Sequence, residues 1–180
     1  MKYGTLAIAT ACIGAISETF IARHIQEIAP DKTVVVAFES RNVEKLDCPV
    51  HVLPHPDRTH LPWFLRKPLG LYGLFCRGHH AALGSKETQR LAGFFQDHNV
   101  VSVMAQYDPT ACKICRACSL AGARLYPHYR GYDASLSLQE WKQRFAYRRL
   151  AKKAHGIICP SGYLAENLVG IGMPRSLMHV

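Results

Sequence analysis

YGTLAIATACIGAISETFIARHIQEIAP, residues 3–30, is the stretch that decides the fold. Tyr3 to Thr10 is a nearly unbroken apolar run containing β-branched residues, which is how a strand buried on both faces reads. Ala11 to Ser17 then reads as a loop, with Gly14 at its centre. Ser17 offers a helix N-cap, and Phe20, Ile21, His24, Ile25 and Ile28 recur at helical spacing until Pro30 ends the segment. A buried strand followed by an amphipathic helix is the first half of a β-α-β unit. It is read here as a first strand, in preference to a signal peptide, because the apolar run is short and leads straight into a turn and helix.

The alternation continues outward. Thr33 to Phe38 and Val50 to Leu53 read as strands, Ser85 to His98 as a helix and Val100 to Met104 as a strand. Asp108-Pro109 predicts a helix start, a capping carboxylate with proline at the first helical position, and that helix ends near Gly122. Arg124 to Tyr129 is the next strand. Ser137-x-x-Glu140 reads as a capping box opening a long helix through Ala154. Gly156 to Cys159, a helix from Ser161 to Leu168 closed by Gly170, and a strand start at Leu177 to Val180 complete the series. Strands separated by helices predict an α/β fold with a doubly wound, mostly parallel, Rossmann-like sheet. The chain ends as it enters a strand, so one domain spanning 1–180 is expected to be half of a larger unit.

Composition agrees with a globular domain: of 180 residues, 48% are hydrophobic and 19% charged. No apolar run approaches the ~20 residues of a membrane-spanning helix. Lys and Arg outnumber Asp and Glu by 22 to 13, a net charge of +9, which favours anionic partners. Seven cysteines cannot all pair within one chain, and their irregular spacing points to a reduced, cytoplasmic setting.

In an open α/β sheet, ligands bind beyond the carboxyl ends of the strands. Three loops leave such ends. Gly14 precedes the helix headed by Ser17 and Glu18, where free N–H groups favour an anion; a tight turn with a capping serine explains the same residues. The loop His128-Tyr129-Arg130-Gly131-Tyr132-Asp133 carries a stronger signal. Arg130 suits a phosphate or carboxylate, and Asp133 could orient a hydroxyl or brace Arg130 around Gly131. Ser161 follows the third strand end, as a ligand contact or only a helix cap. Cys112, Cys115 and Cys118 have the look of a metal run, but all three fall within one helix and diverge around it, so they read as core. No HExxH motif and no GxSxG elbow is present.

Between Arg58 and Lys86, cations interleave with apolar residues. Trp63, Phe64, Arg66 and Lys67 suit an anionic membrane interface, and equally a helical hairpin packed on the sheet. Arg144, Arg148, Arg149, Lys152 and Lys153 read as a solvated helix face; no nucleic-acid signature accompanies them, and no nucleic-acid partner is expected.

Several of these segments together resemble a known family. Ser17-Glu18-Thr19-Phe20-Ile21 is similar to the SETFI segment of bacterial glycosyltransferases with the two-domain GT-B fold, of the glycosyltransferase family 4 type. Tyr107-Asp108-Pro109-Thr110-Ala111 resembles their GPTA segment, and Arg130-Gly131-Tyr132-Asp133-Ala134-Ser135 their HGYDAS segment. Phe145 through Ala154, then Ile157, Ser161, Leu164, Leu168, Gly172 and Pro174, follow the family's pattern before the interdomain crossing.

The resemblance spans nearly the whole chain, but only the family's N-terminal half. It implies sugar transfer from a nucleotide-sugar donor, with retention and no obligatory metal or other cofactor. This half would hold a glycan or lipid-linked acceptor, in the cytoplasm or peripheral at the inner membrane face, and surface-polysaccharide or lipid-linked oligosaccharide assembly is the family's most frequent setting. The C-terminal half, which grips the donor, is absent from the sequence. The implied site is Arg130 and Asp133 at the reacting centre, with Gly14, Ser17, Glu18, Gly131 and Ser161 lining it. Arg130 stands where many members have histidine, and it would act as a clamp because arginine cannot be a base at neutral pH. His128 is expected on the opposite side of the strand and inherits no role. Tyr107 stands where glycine is common. Two other classes remain: a non-catalytic binding or regulatory module of the same fold, and a metal-binding protein using Cys112, Cys115 and Cys118.

Overall fold

The computed structural model describes residues 4–14, 19–41, 46–54 and 82–180, with 68, 71 and 72 between them. Strand β1 (Thr5–Ile13) leads to helix α1 (Thr19–Glu27), β2 (Thr33–Ser40) and the short β3 (Val50–Val52). After these come α2 (Ser85–Asp97), β4 (Val100–Gln106), α3 (Asp108–Ala121) and β5 (Arg124–His128). A 3-10 turn (Leu136–Gln139) precedes α4 (Trp141–Ala151), β6 (Ile157–Ile158), α5 (Gly162–Gly170) and β7 (Met178–His179).

Seven strands form one sheet in the order β3-β2-β1-β4-β5-β6-β7, every neighbouring pair parallel. The order reverses between β1 and β4, and the space outside their carboxyl ends is the topological switch point.

The alternation of side chains along each strand divides the core in two. Ile8 of β1 with Val35 and Ala37 of β2 packs against Ile21 and Ile25 of α1. Ala7, Ala9, Val34, Val36, Val103 and Ala105 face the other way, toward Leu91 and Phe95 of α2 and Ala111 and Ile114 of α3. Helices therefore cover both faces, which is why the central strands read as continuous apolar runs rather than alternating ones.

Four local expectations need correction. The first strand runs past Thr10 through Ala11, Cys12 and Ile13, because Cys12 and Ile13 pair with Glu39 and Ser40 of β2. Helix α3 begins at Asp108 with Tyr107 in the cap position, at φ +64°, so Asp108 is the first helical residue rather than the cap. Ser137 does not open a helix. It sits in the 3-10 turn, and its hydroxyl bonds the Asp133 carbonyl (2.6 Å) and the Tyr147 hydroxyl (2.8 Å), while α4 starts later, at Trp141. That helix also ends at Ala151, short of Ala154.

The cysteine run of α3 lies in the core: Cys112, Cys115 and Cys118 are 2%, 6% and 1% exposed. Burial pushes the Cys115 and Cys118 thiols up from their ordinary range, as for thiols packed in an apolar core. Among the described residues, no group of three His, Cys, Asp or Glu side chains is arranged to hold a metal ion. Gly122 closes α3 in the left-handed conformation, at φ +74°, as its position predicts.

Candidate functional site

Strands β4 and β5 end in register, with Gln106 directly beside His128. Gln106 is fully buried, a position where an amide must find partners or cost the fold on the order of 1–3 kcal/mol. It finds three. Its Oε1 lies 3.0 Å from His128 Nδ1, and its Nε2 lies 3.0 Å from His24 Nδ1 and 3.2 Å from Met104 Sδ. His24 arrives from α1, on the turn of helix after Phe20, whose ring meets that of His24 edge-on at 5.8 Å. The chain beyond β5 then brings Arg130 back over α1, its guanidinium 3.5 Å from the centre of the Phe20 ring. Arg130 Nε is buried there with no hydrogen-bond partner.

The electrostatics follow from this crowding. His128 is held down to about 4, by burial first, then by the positive charge of Arg130 and by His24. His24 is lowered by burial and by Arg130, against the opposing pull of Glu27. Both imidazoles are neutral at pH 7, next to a permanent cation.

The turn after β5 is tied to its own backbone. Asp133 is 4% exposed, and its Oδ2 accepts the backbone N–H of Arg130 at 3.1 Å. The Ala134 N–H donates to the Arg130 carbonyl at 3.0 Å, and the Ser135 hydroxyl to the carbonyl of Gly131. Asp133 therefore shapes the turn that presents Arg130. Gly131 is exposed, with open space where a side chain would stand.

The other residues expected in the site divide. Gly14 leaves the carboxyl end of β1 and Arg130 follows that of β5, so both turns lie at one edge of the sheet, with β4 between the strands. Gly14 has φ +81°, and a Cβ there would sit 1.9 Å from the Arg41 carbonyl oxygen, so the position requires glycine for close backbone packing. Ser161 caps α5, its hydroxyl accepting the Leu164 N–H at 3.4 Å. Ser17 and Glu18, and the membrane candidates Trp63, Phe64, Arg66 and Lys67, lie outside the described residues.

His128 does not stand apart from Arg130: residues two apart along extended chain share a face, and Arg130 is close enough to depress its pKa. Gln106 and His24 were not read as site residues from the sequence. His24 read as part of the apolar stripe of α1. The available signal for Gln106 was a polar side chain closing the apolar run Val100–Ala105 at a strand's carboxyl end.

No family model matches the chain, and no curated protein matches it. Solved structures do. HepE from Anabaena, in complex with UDP and glucose, superposes with a TM-score of 0.67 at 14% identity, over 98% of this chain and 43% of that one. The lipopolysaccharide outer core galactosyltransferase WaaB gives 0.60 at 11% identity, over 98% and 44%. A UDP-N-acetylglucosamine 2-epimerase gives 0.57 at 12% identity, over 99% and 48%. The chain thus spans less than half the length of these proteins. Its fold is the Rossmann-like α/β unit that makes up one half of a GT-B glycosyltransferase chain.

Proposed function

We propose that this chain is the N-terminal, acceptor-side half of a retaining glycosyltransferase that moves a sugar from a nucleotide-sugar donor to a glycan or lipid-linked acceptor. The observation that carries the reading is the His24–Gln106–His128 cluster beside Arg130, at the carboxyl edge of a parallel sheet. That edge is where open α/β sheets bind ligands, and the same fold occurs in a protein solved with UDP-glucose. Arg130 clamps an anionic oxygen of the substrate, Asp133 holds the turn that presents it, and Gly131 leaves the approach open. Gly14 and Ser161 follow strand ends at the same edge, and the sequence assigns Ser17 and Glu18 to the same site. The setting is the cytoplasmic face of the membrane, in surface-polysaccharide assembly, and no metal takes part.

The work is divided between two halves. Transfer requires a donor in near-attack geometry with the charge of its departing diphosphate neutralised, and those two terms dominate the rate. A donor-side half of the same architecture, from the same polypeptide or a partner, supplies the grip on the nucleotide. The test is to incubate the purified chain with radiolabelled nucleotide sugars and a panel of glycan and lipid-linked acceptors, and then to titrate in a donor-side half. Turnover is expected only in the second case, with a loss of at least 100-fold in Arg130→Ala, the order seen when a transition-state charge stabiliser is removed. Turnover by the 180-residue chain alone, at rates usual for enzymes, would overturn the division of labour.

A further inference from the structure

The amide of Gln106 is wedged between two imidazoles, and chemistry decides which way round it sits. The amide atom near His24 is also 3.2 Å from Met104 Sδ. A thioether sulfur accepts hydrogen bonds and cannot donate, so the atom shared by His24 and Met104 is the nitrogen, with one hydrogen for each. Turned over, the amide would set oxygen lone pairs against sulfur lone pairs. Once the amide is oriented, the protons on both rings follow. His24 Nδ1, at 3.0 Å from Gln106 Nε2, must be bare, so its hydrogen sits on Nε2. His128 Nδ1, at 3.0 Å from Gln106 Oε1, must carry a hydrogen, which leaves Nε2 bare.

We propose that Gln106 is a positioning residue that sets opposite tautomers on the two histidines, making His128 Nε2 the hydrogen-bond acceptor of the site and His24 Nε2–H a donor. The inference rests on the reading of this edge as a ligand site. Two imidazoles in the same tautomer would offer two donors or two acceptors, and a single buried amide breaks that symmetry.

The distinction matters because Arg130 can only donate and one oxygen of Asp133 is engaged by the Arg130 backbone N–H. A bare His128 Nε2 therefore supplies what the guanidinium lacks, an acceptor for a hydroxyl hydrogen. A ligand with a hydroxyl group close to an anionic oxygen meets both. The arrangement also resists protonation of His24, since an imidazolium would point an N–H at the amide nitrogen of Gln106. Burial and the charge of Arg130 favour neutral rings in the same way.

The test is long-range proton–nitrogen NMR correlation of the histidine rings in the ¹⁵N-labelled chain at pH 7.5. Single variants His24→Gln and His128→Gln assign the two rings among the ten histidines. The expected pattern is a protonated Nδ1 and bare Nε2 on His128, and the reverse on His24. A hydrogen on Nε2 of His128, or both rings averaging between tautomers, would overturn the proposal.

Gln106→Glu is the second arm. A carboxylate accepts from both sides, so His24 Nδ1 should shift from the bare to the protonated class while His128 Nδ1 keeps its hydrogen. An unchanged His24 ring in the folded variant counts against the proposal, and if the variant does not fold, the unsubstituted chain still decides. These spectra need neither donor nor acceptor. Correct tautomers with no turnover even after a donor-side half is added would sink only the transferase reading, and turnover with the wrong tautomers only this one.

Discussion

At the scale of single residues, His128 shows how much a position depends on its surroundings. Its ring is held neutral in the fold to about pH 4, whereas in an unfolded chain it takes a proton near 6.5. Below 6.5 the unfolded chain therefore binds more protons than the folded one, so the stability tied to this ring is complete above that pH and is lost as pH falls through it toward 4. His24 acts in the same direction. Urea denaturation at pH 7.5 and at pH 5 should show a lower midpoint at pH 5, and a smaller drop in His128→Gln. Equal drops in both proteins would mean that His128 does not contribute to the pH dependence. Gly14 makes a different kind of demand. With φ at +81° and the Arg41 carbonyl 1.9 Å from a would-be Cβ, Gly14→Ala should cost more than about 1 kcal/mol by urea denaturation. An unchanged midpoint would show that the ends of β1 and β2 do not pack as described.

At the scale of elements, the segment between β5 and α4 shows why a motif can be read correctly as residues and wrongly as structure. Ser137-x-x-Glu140 has the spacing of a capping box, yet the Ser137 hydroxyl is used on Asp133 and Tyr147. Tyr147 also donates to the Asp133 carbonyl at 3.3 Å, so three side chains secure the turn that presents Arg130. Ser137→Ala removes a buried hydroxyl with two partners and should cost about 1–3 kcal/mol. Hydrogen exchange should rise across 130–137 more than in β1 or β2. Uniform protection loss across the sheet would instead assign Ser137 to global stability alone.

At the scale of the whole molecule, positive charge is distributed unevenly. From Trp141 to Ala165 there is no acidic residue, and Lys142, Arg144, Arg148, Arg149, Lys152 and Lys153 all fall there. Between α4 and the chain after α5, Arg148, Arg149 and Lys152 line a cavity of about 430 Å³ whose apolar walls include Phe145 and Pro174. That face, together with the Trp63-Phe64-x-Arg66-Lys67 segment, motivates docking on anionic membrane, weakened by salt. Vesicle sedimentation should show binding to anionic but not neutral lipid, reduced by Arg66→Glu with Lys67→Glu and separately by Arg149→Glu with Lys152→Glu. Equal pelleting with both lipids would defeat the idea, and loss in only one pair of variants would assign the surface.

The β-α alternation, the parallel sheet and the Arg130 turn were legible in the chain because each rests on local chemistry: apolar runs, helical spacing, a left-handed glycine at 122. The end of the first strand before Gly14 was not legible, since strand length is set by the partner strand and Ser40 lies far along the chain from Ile13. The centre of the candidate site was not legible. His24 and Gln106 are 82 residues apart and join only because α1 packs beside β4, and Gln106 meets His128 only through the register of β4 on β5. Neither pairing leaves a periodicity or motif, because the amide answers a need that exists only once both histidines are buried. Which residues form the elements is a property of the sequence taken a few positions at a time; which side chains share a proton network is decided by tertiary packing, where burial makes an unpaired polar group costly.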